Sequence, residues 1–350
     1  MKTIWIINEG SPGHLAQSRA LGQSMQKKDP SLRLVTLDVK RRLSGFQRLI
    51  LRVLMGRHGR RLPLAVLRRI VTDIELHNVI EAPGLIISSG GKSVFSAFYL
   101  SRKYNAPYVF VGERKPYPSE WFHTVFTPSP NEQGVSDVAI DLIPTGVTPE
   151  GVAMAAKSYD RPQGRLWAMV IGGASRSHPY SEGDWKLLCE GMNALAKKYG
   201  IRWLLTTSRR TGTAVEELLQ GWIDEGSLAD SIWWASQPQK RMLAMLGAAE
   251  RVFVTQDSVT MVTECVASGR PVVVLRPEVE SFPRKSFMPL YLQRMEDLNY
   301  VLRKKIKDLD DSSGQEELVP NIIKAHVSVE SAMAEHLLQA IGRNVYDSSC

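Results

Sequence analysis

The chain has 350 residues, 43% hydrophobic and 23% charged, with a net charge of +8. That length exceeds one ordinary domain and suits two of roughly 150 residues, and the composition excludes a disordered or low-complexity chain. No run of about 18 apolar residues could span a bilayer, Met1-Lys2-Thr3 leads into a strand pattern rather than a signal-peptide core, and Cys189, Cys265 and Cys350 stand singly, so a reducing cytoplasmic location is expected.

The first apolar run, Thr3 to Ile7, reads as a buried parallel strand, followed by a Gly-rich turn from Asn8 to His14 and a helix from Leu15 to Lys27. Further strand-like runs follow at Leu34 to Leu37, Gly84 to Ser88, Tyr108 to Gly112 and Thr124 to Phe126, with room between them for crossover helices. After a Pro- and Gly-bearing connection from Ile143 to Gly164 the pattern restarts, with strands expected at Leu166 to Ile171, Trp203 to Thr206, Ser231 to Trp234, Arg251 to Thr255 and Pro271 to Leu275. The chain therefore reads as two tandem Rossmann-type, doubly wound α/β domains, over residues 1–150 and 163–325, with ligands expected in a cleft between them. A closing helix, 326–345, has helical spacing and could dock on either domain.

Gly-rich turns follow the apolar strands. In the first half they contain Gly10 and Gly13, then Gly90, Gly91 and Lys92; in the second half Gly172-Gly173-Ala174-Ser175-Arg176 ends the first strand. Glycines of that kind let backbone N–H groups approach a diphosphate at a helix start, although a tight turn with no ligand has the same pattern. Neither half has the full G-x-G-x-x-G fingerprint, which disfavours a nicotinamide enzyme. Next, Thr206, Thr207, Ser208, Arg209, Arg210 and Thr211 release hydroxyls and two guanidiniums at a strand end, a set suited to phosphate oxygens or else to a solvated cap. The third element runs from Thr255 through Gln256, Asp257, Ser258 and Thr260 to Glu264. A helix beginning there can hold phosphate at Ser258 while Glu264, two turns in, accepts ribose hydroxyls. Glu264 sits among small and apolar residues, where an unpaired acid is costly.

These segments, with the opening Trp5-Ile6-Ile7-Asn8-Glu9-Gly10-Ser11-Pro12-Gly13-His14, resemble the elongated-mitochondria (mitochondrial fission) family, whose bacterial members resemble GT-B glycosyltransferases. The lipid-linked N-acetylglucosaminyltransferase of peptidoglycan synthesis is a more distant relative. The resemblance runs from about Lys2 to about Leu275. It implies a GT-B-like fold and a nucleotide-sugar substrate, UDP-linked, held by the second domain, with no separate cofactor. Gly172, Gly173, Ser175 and Arg176 would surround the diphosphate with Ser208 and Arg209, Ser258 and Thr260 would approach the phosphates, and Glu264 would take the ribose. The chain departs from the family pattern at Gly212, where Pro is common, and at Ser89-Gly90-Gly91-Lys92, which replaces an Arg-rich loop.

His14 is a candidate base for an acceptor hydroxyl, or a residue that caps its own helix; Glu113, after the Tyr108 to Gly112 strand, is the substitute candidate, or a salt-bridged loop acid. No Asp-x-Asp follows a strand in a credible site, and Asp308-Leu309-Asp310 reads as surface. Arginines and helix dipoles can offset a leaving diphosphate, so metal independence is expected.

Between Asp38 and Asp73 there are ten Lys or Arg and no acid, and setting them aside takes the net charge from +8 to −2. Arg41, Arg42, Arg48, Arg52, Arg57, Arg60 and Arg61 interleave there with apolar residues at helical spacing, which suits an anionic membrane surface or lipid-linked acceptor at the inner face. A helix packed on its own domain is the plainer reading, and nucleic acid is the weaker one because stacking aromatics are scarce. The expected activity is sugar transfer to a membrane-associated acceptor such as a lipopolysaccharide core or lipid-linked glycan. A non-hydrolysing nucleotide-sugar epimerase and a non-enzymatic membrane-associated adaptor are the alternatives. An epimerase acts on a soluble substrate and has no use for the basic arm.

Overall fold

The structure, a computed structural model, describes residues 2–39, 53, 63–70, 81–114, 117–128, 134–284, 286–309 and 329–347. The chain divides into two compact units. One is Met1–Gly146 together with Val327–Cys350, the other Val147–His326.

In the first unit the described strands are β1 (Thr3–Asn8), β2 (Arg33–Asp38), β3 (Leu85–Ser89), β4 (Tyr108–Val111), β5 (Thr124–Thr127) and β6 (Asp137–Ala139), and the helices are α1 (Pro12–Lys28), α2 (Leu64–Ile70) and α3 (Val94–Tyr104). The sheet order is β2-β1-β3-β4-β5-β6, every neighbour parallel. β1, β3, β4 and β5 are mostly apolar and, apart from the half-buried Asn8 that ends β1, buried on both faces, as a helix-covered parallel sheet requires. Alternate residues feed two cores: Trp5, Ile7, Ile86 and Phe110 pack on one face with α3, and Ile4, Ile87, Val109 and Phe126 on the other with Leu21 and Met25 of α1.

The closing helix, α10 (Val329–Asp347), completes that second face through Met333, Ala334 and Leu337. Glu330 anchors its start by accepting from the Thr145 and Gly146 N–H groups at 2.9 and 3.3 Å. The helix thus docks on the first unit, although the whole of the second unit precedes it in sequence.

The second unit contains α4 (Pro149–Lys157), β7 (Arg165–Val170), α5 (Glu182–Tyr199), β8 (Ile201–Thr206), α6 (Thr213–Trp222), β9 (Leu228–Ile232), α7 (Met242–Ala248), β10 (Arg251–Thr255), α8 (Val259–Ala267), β11 (Val272–Arg276), α9 (Met288–Asp297) and β12 (Leu302–Lys305). Its order is β12-β11-β10-β7-β8-β9, again all parallel. Trp167, Trp203 and Phe253 fill the core between β7, β8 and β10 as a cluster of ring contacts. Gly247 of α7 faces the α4 backbone so closely that a Cβ would collide with the Val152 carbonyl, so α4 belongs to this unit and the division falls at Gly146 rather than after residue 150.

Several sequence expectations shift. α1 begins at Pro12, a residue suited to the first helical turn, instead of Leu15. β9 ends at Ile232, before the Trp233-Trp234 pair that drew the expected strand forward. The edge strands β6 and β12 are additions. The seven arginines read as membrane-facing, Arg41 to Arg61, lie outside the described residues.

Candidate functional site

Each sheet has one point where the connections diverge: between β1 and β3 in the first, between β7 and β10 in the second. Open parallel sheets leave a crevice there, beyond the carboxyl ends of the strands. The candidate residues fall on the turns at these two points.

In the second unit, β7 releases Gly172-Gly173 and β10 releases Gln256-Asp257-Ser258. Asp257 is fully buried and accepts four hydrogen bonds: from Thr255 Oγ1 at 2.7 Å and Tyr180 at 3.4 Å on Oδ1, and from the Gly173 N–H at 3.1 Å and Arg210 at 2.5 Å on Oδ2. The Gly172 N–H donates to Thr255 Oγ1 at 2.7 Å, and Thr211 Oγ1 donates to the Gly172 carbonyl. A Cβ on Gly172 would fall inside the Asp257 carboxylate, and one on Gly173 inside the Arg210 carbonyl. The glycines are therefore required by close packing of three loops. In this structure their N–H groups donate within the protein, to Thr255 Oγ1 and Asp257 Oδ2. Asp257 likewise knits the Gly172, Arg210 and Tyr180 segments together and has no oxygen to spare for a ligand.

The surrounding groups divide between building and availability. Thr207 donates to buried Glu216 of α6 at 2.5 Å and accepts from the Trp234 N–H at 2.8 Å, tying the β8 turn to the β9 turn. Ser208 receives the Arg210 N–H and meets Thr211, closing its own turn. Ser175 closes a turn with His178. Arg176 and Arg209 are exposed, and the Arg210 side chain is 40% exposed beyond its ion pair. Ser258 caps α8 by accepting from the Met261 N–H, Thr260 lies half-buried in the first turn, and the first N–H groups of that helix have no intrahelical acceptor.

Glu264 stands apart. Two turns into α8, it is half-buried, has no hydrogen-bond or ion-pair partner among the described residues, and burial alone pushes its pKa up to about 7. A carboxylate so placed is costly unless a ligand completes it.

The sequence reading missed an adjoining polar network. Arg303 of β12 donates twice to Gln256 Oε1, at 3.2 and 3.1 Å, which directs the Gln256 amide NH2 toward His178 Nε2 at 3.1 Å and toward Glu280. Because arginine only donates, His178 Nε2 is the acceptor and Nδ1 carries the proton; Nδ1 is buried with no partner. Burial also lowers the His178 pKa. This network braces the loop after β11 against the Asp257 turn.

In the first unit, β1 releases Asn8-Glu9-Gly10 and β3 releases Gly90. Gly10 adopts φ +85 and its N–H donates to Asn8 Oδ1 at 3.0 Å. His14, the third residue of α1, meets Glu9 Oε1 through Nδ1 at 2.6 Å, and Gly90 (φ +83) closes over both so tightly that a Cβ there would overlap them. Gly13 is the second residue of α1, Tyr117 donates to the Gly91 carbonyl at 2.9 Å, and Lys92 is exposed on the same turn. Glu113 follows β4, two strands away from β1 in the sheet. Glu9 was not singled out from sequence; its only signal there was its place beside the Gly-rich turn.

Among the described residues no group of three or more His, Cys, Asp or Glu could hold a metal ion, and no helix is long and apolar enough to cross a membrane. Asp308 lies in a short helical turn after β12, and Asp310 outside the described residues.

Two doubly wound units of six parallel strands each, carried in tandem, define a GT-B-type fold, the architecture of GT-B glycosyltransferases and nucleotide-sugar epimerases. Residues 12–320 match the family described as Mitochondrial fission ELM1, and the chain belongs to that family. The fold is similar to S. aureus MnaA in a co-structure with UDP (TM-score 0.56, 11% identity, 99% of this chain and 97% of that one). It is also similar to Acinetobacter baumannii MurG (0.52, 12% identity, 98% and 100%) and to Neisseria meningitidis UDP-GlcNAc 2-epimerase bound to UDP-GlcNAc (0.57, 12% identity, 97% and 100%). No curated protein matches the sequence.

Proposed function

We propose that the chain is a glycosyltransferase that moves a sugar from a UDP-linked donor to an acceptor hydroxyl. The observation that carries this reading is Glu264, an unpartnered and costly carboxylate on the helix that starts at the second sheet's switch point. A ribose presents two adjacent hydroxyl donors, which such a carboxylate accepts together, while the α8 N-terminus, Ser258, Thr260 and the exposed guanidiniums of Arg176, Arg209 and Arg210 suit a diphosphate. UDP and UDP-GlcNAc are the ligands named for two of the similar structures, which supports the UDP-linked donor that the family resemblance implies.

In the first unit His14 serves as base. The acceptor O–H proton passes to the imidazole, the oxygen bonds to the sugar's anomeric carbon, and the bond from that carbon to the diphosphate breaks, releasing UDP. Arginines and the helix start offset the charge of the leaving group, so neither a metal nor a further cofactor takes part. The acceptor is membrane-associated, a lipopolysaccharide core or lipid-linked glycan. The ten-fold basic stretch between Asp38 and Asp73 supports that choice and a peripheral position at the inner face of the membrane.

The test is UDP release from a panel of UDP-sugars with and without an extract of bacterial envelope lipids, in EDTA. Release that depends on the extract and is lost in His14→Ala supports transfer. Conversion of the donor without any acceptor would indicate the epimerase, and failure of every nucleotide to bind would indicate the adaptor.

A further inference from the structure

The acid that holds His14 has no role in the account so far. Glu9 lies at the carboxyl end of β1 with its side chain 4% exposed, against 41% for His14. One oxygen meets the ring at Nδ1; the other, Oε2, is buried with no hydrogen-bond partner. Burying a carboxylate is unfavourable unless a partner compensates, and His14 is that partner. The turn that carries the acid is held by the Gly10 N–H on Asn8 Oδ1 and by Asn8 Nδ2 donating to Asp38 at 2.6 Å. Gly90 arrives from a turn about eighty residues later and leaves room for the pair only because it has no side chain.

We infer that Glu9 is a positioning residue: it fixes His14 as the Nδ1–H tautomer, presents the Nε2 lone pair outward, and supports the imidazolium formed when Nε2 takes a proton. An ionised carboxylate only accepts, so the hydrogen between the two atoms belongs to Nδ1 and the proton-accepting position is Nε2. The support is needed because His14 occupies the first turn of α1, whose positive end disfavours a cation. As a base for an acceptor hydroxyl this device rests on the glycosyl-transfer reading; as a fixed tautomer it does not.

The experiment is a long-range 1H–15N spectrum of the side chains of the seven histidines in the full chain, with the His14 signals assigned by their loss in His14→Gln. Wild type is expected to show Nδ1 protonated and Nε2 unprotonated for neutral His14. Glu9→Ala is expected to shift it toward the Nε2–H form that free imidazole side chains prefer. A wild-type Nε2–H tautomer, or a spectrum unchanged in Glu9→Ala, overturns the inference. Glu9→Gln, which keeps the volume and removes the charge, guards against loss of folding; it should melt with wild type yet lose about 100-fold or more in kcat at unchanged donor KM. A fixed tautomer in a chain that transfers no sugar would sink the functional reading alone. Transfer at full kcat in Glu9→Gln would sink the support that Glu9 gives the imidazolium.

Discussion

At the second sheet's switch point Asp257 receives four hydrogen bonds, from two neighbouring loops and the end of its own strand, whereas at the first sheet's Glu9 gives one oxygen to a histidine and leaves the other buried and unpaired among the described residues. The topology offers both acids the same kind of place, the carboxyl end of a strand where the chain diverges. What differs is how many donors the neighbouring turns supply. A saturated carboxylate is structural, because a ligand could reach it only by displacing partners already made. An unsaturated one stores an unfavourable burial that a proton or a substrate can relieve. Glu264 repeats the pattern inside the second unit: seven residues along from Asp257, its carboxylate has no partner among the described residues, and it is the group proposed for the donor.

The comparison breaks most sharply at Asp257. Asp257→Ala removes four accepted hydrogen bonds and leaves the Gly173 N–H without its acceptor, so the urea stability should fall by about 3–5 kcal/mol. A loss below about 1 kcal/mol would mean that the loops hold without it.

Glu264 should show the opposite behaviour, in the pH dependence of stability. Burial raises its pKa from the ordinary 4.5 to about 7, so the folded chain holds the proton more tightly than the unfolded one. Its contribution is therefore complete below about 4.5 and lost as pH rises through about 7, by at most about 3 kcal/mol. Glu264→Gln should remove that decline, with denaturation midpoints across pH 4–8 as the readout. In the proposed donor site the ionised form would accept the ribose hydroxyls, so affinity for a UDP-sugar should rise over the same range in wild type and stay flat in the variant.

Gly173→Ala sharpens the distinction between a packing glycine and a phosphate cradle. The added methyl meets the Arg210 carbonyl, a backbone atom that cannot rotate away, and stability should drop by about 1–3 kcal/mol even without any ligand. A variant as stable as wild type but deficient in nucleotide binding would restore the cradle reading.

The smallest effect belongs to His178. Burial depresses its pKa, so the unfolded chain binds the proton more readily, and the stability that neutral His178 provides is present above its ordinary value of 6.5 and lost as pH falls below it. His178→Gln should flatten the acid limb of the stability curve, opposite in slope to the Glu264 contribution.

The central strands of both sheets were legible because parallel strands covered by helices must be apolar on both faces, as Ile4 to Ile7 and Val252 to Val254 are. The edges were not. β12 reads Leu-Arg-Lys-Lys, half-buried throughout, and β6 is three residues long; edge strands carry charge and need only one partner, so neither leaves an apolar run. Candidate positions such as Gly173, Asp257 and His14 were visible from residue type and place after a strand, yet the division of labour among them was not. Asp257 became structural through Tyr180 and Arg210, and Glu9 became buried through Gly90, contacts between segments far apart in sequence. Gln256 and His178 gave no signal of their own, because their network is completed by Arg303 from the edge strand that the pattern left out.

Glu264, without a partner among the described residues, is the group proposed to hold a nucleotide sugar, and that role can be tested alone. Calorimetric titration of UDP-GlcNAc and UDP into wild type and Glu264→Gln, with thermal melting of both, addresses it directly. The expected result is binding by wild type, a loss of about 100-fold in the variant, and a variant at least as stable as the parent, since the change removes a buried charge and with it the two hydrogen bonds proposed to the ribose. Equal binding by the two proteins, or a variant that fails by unfolding, would contradict it.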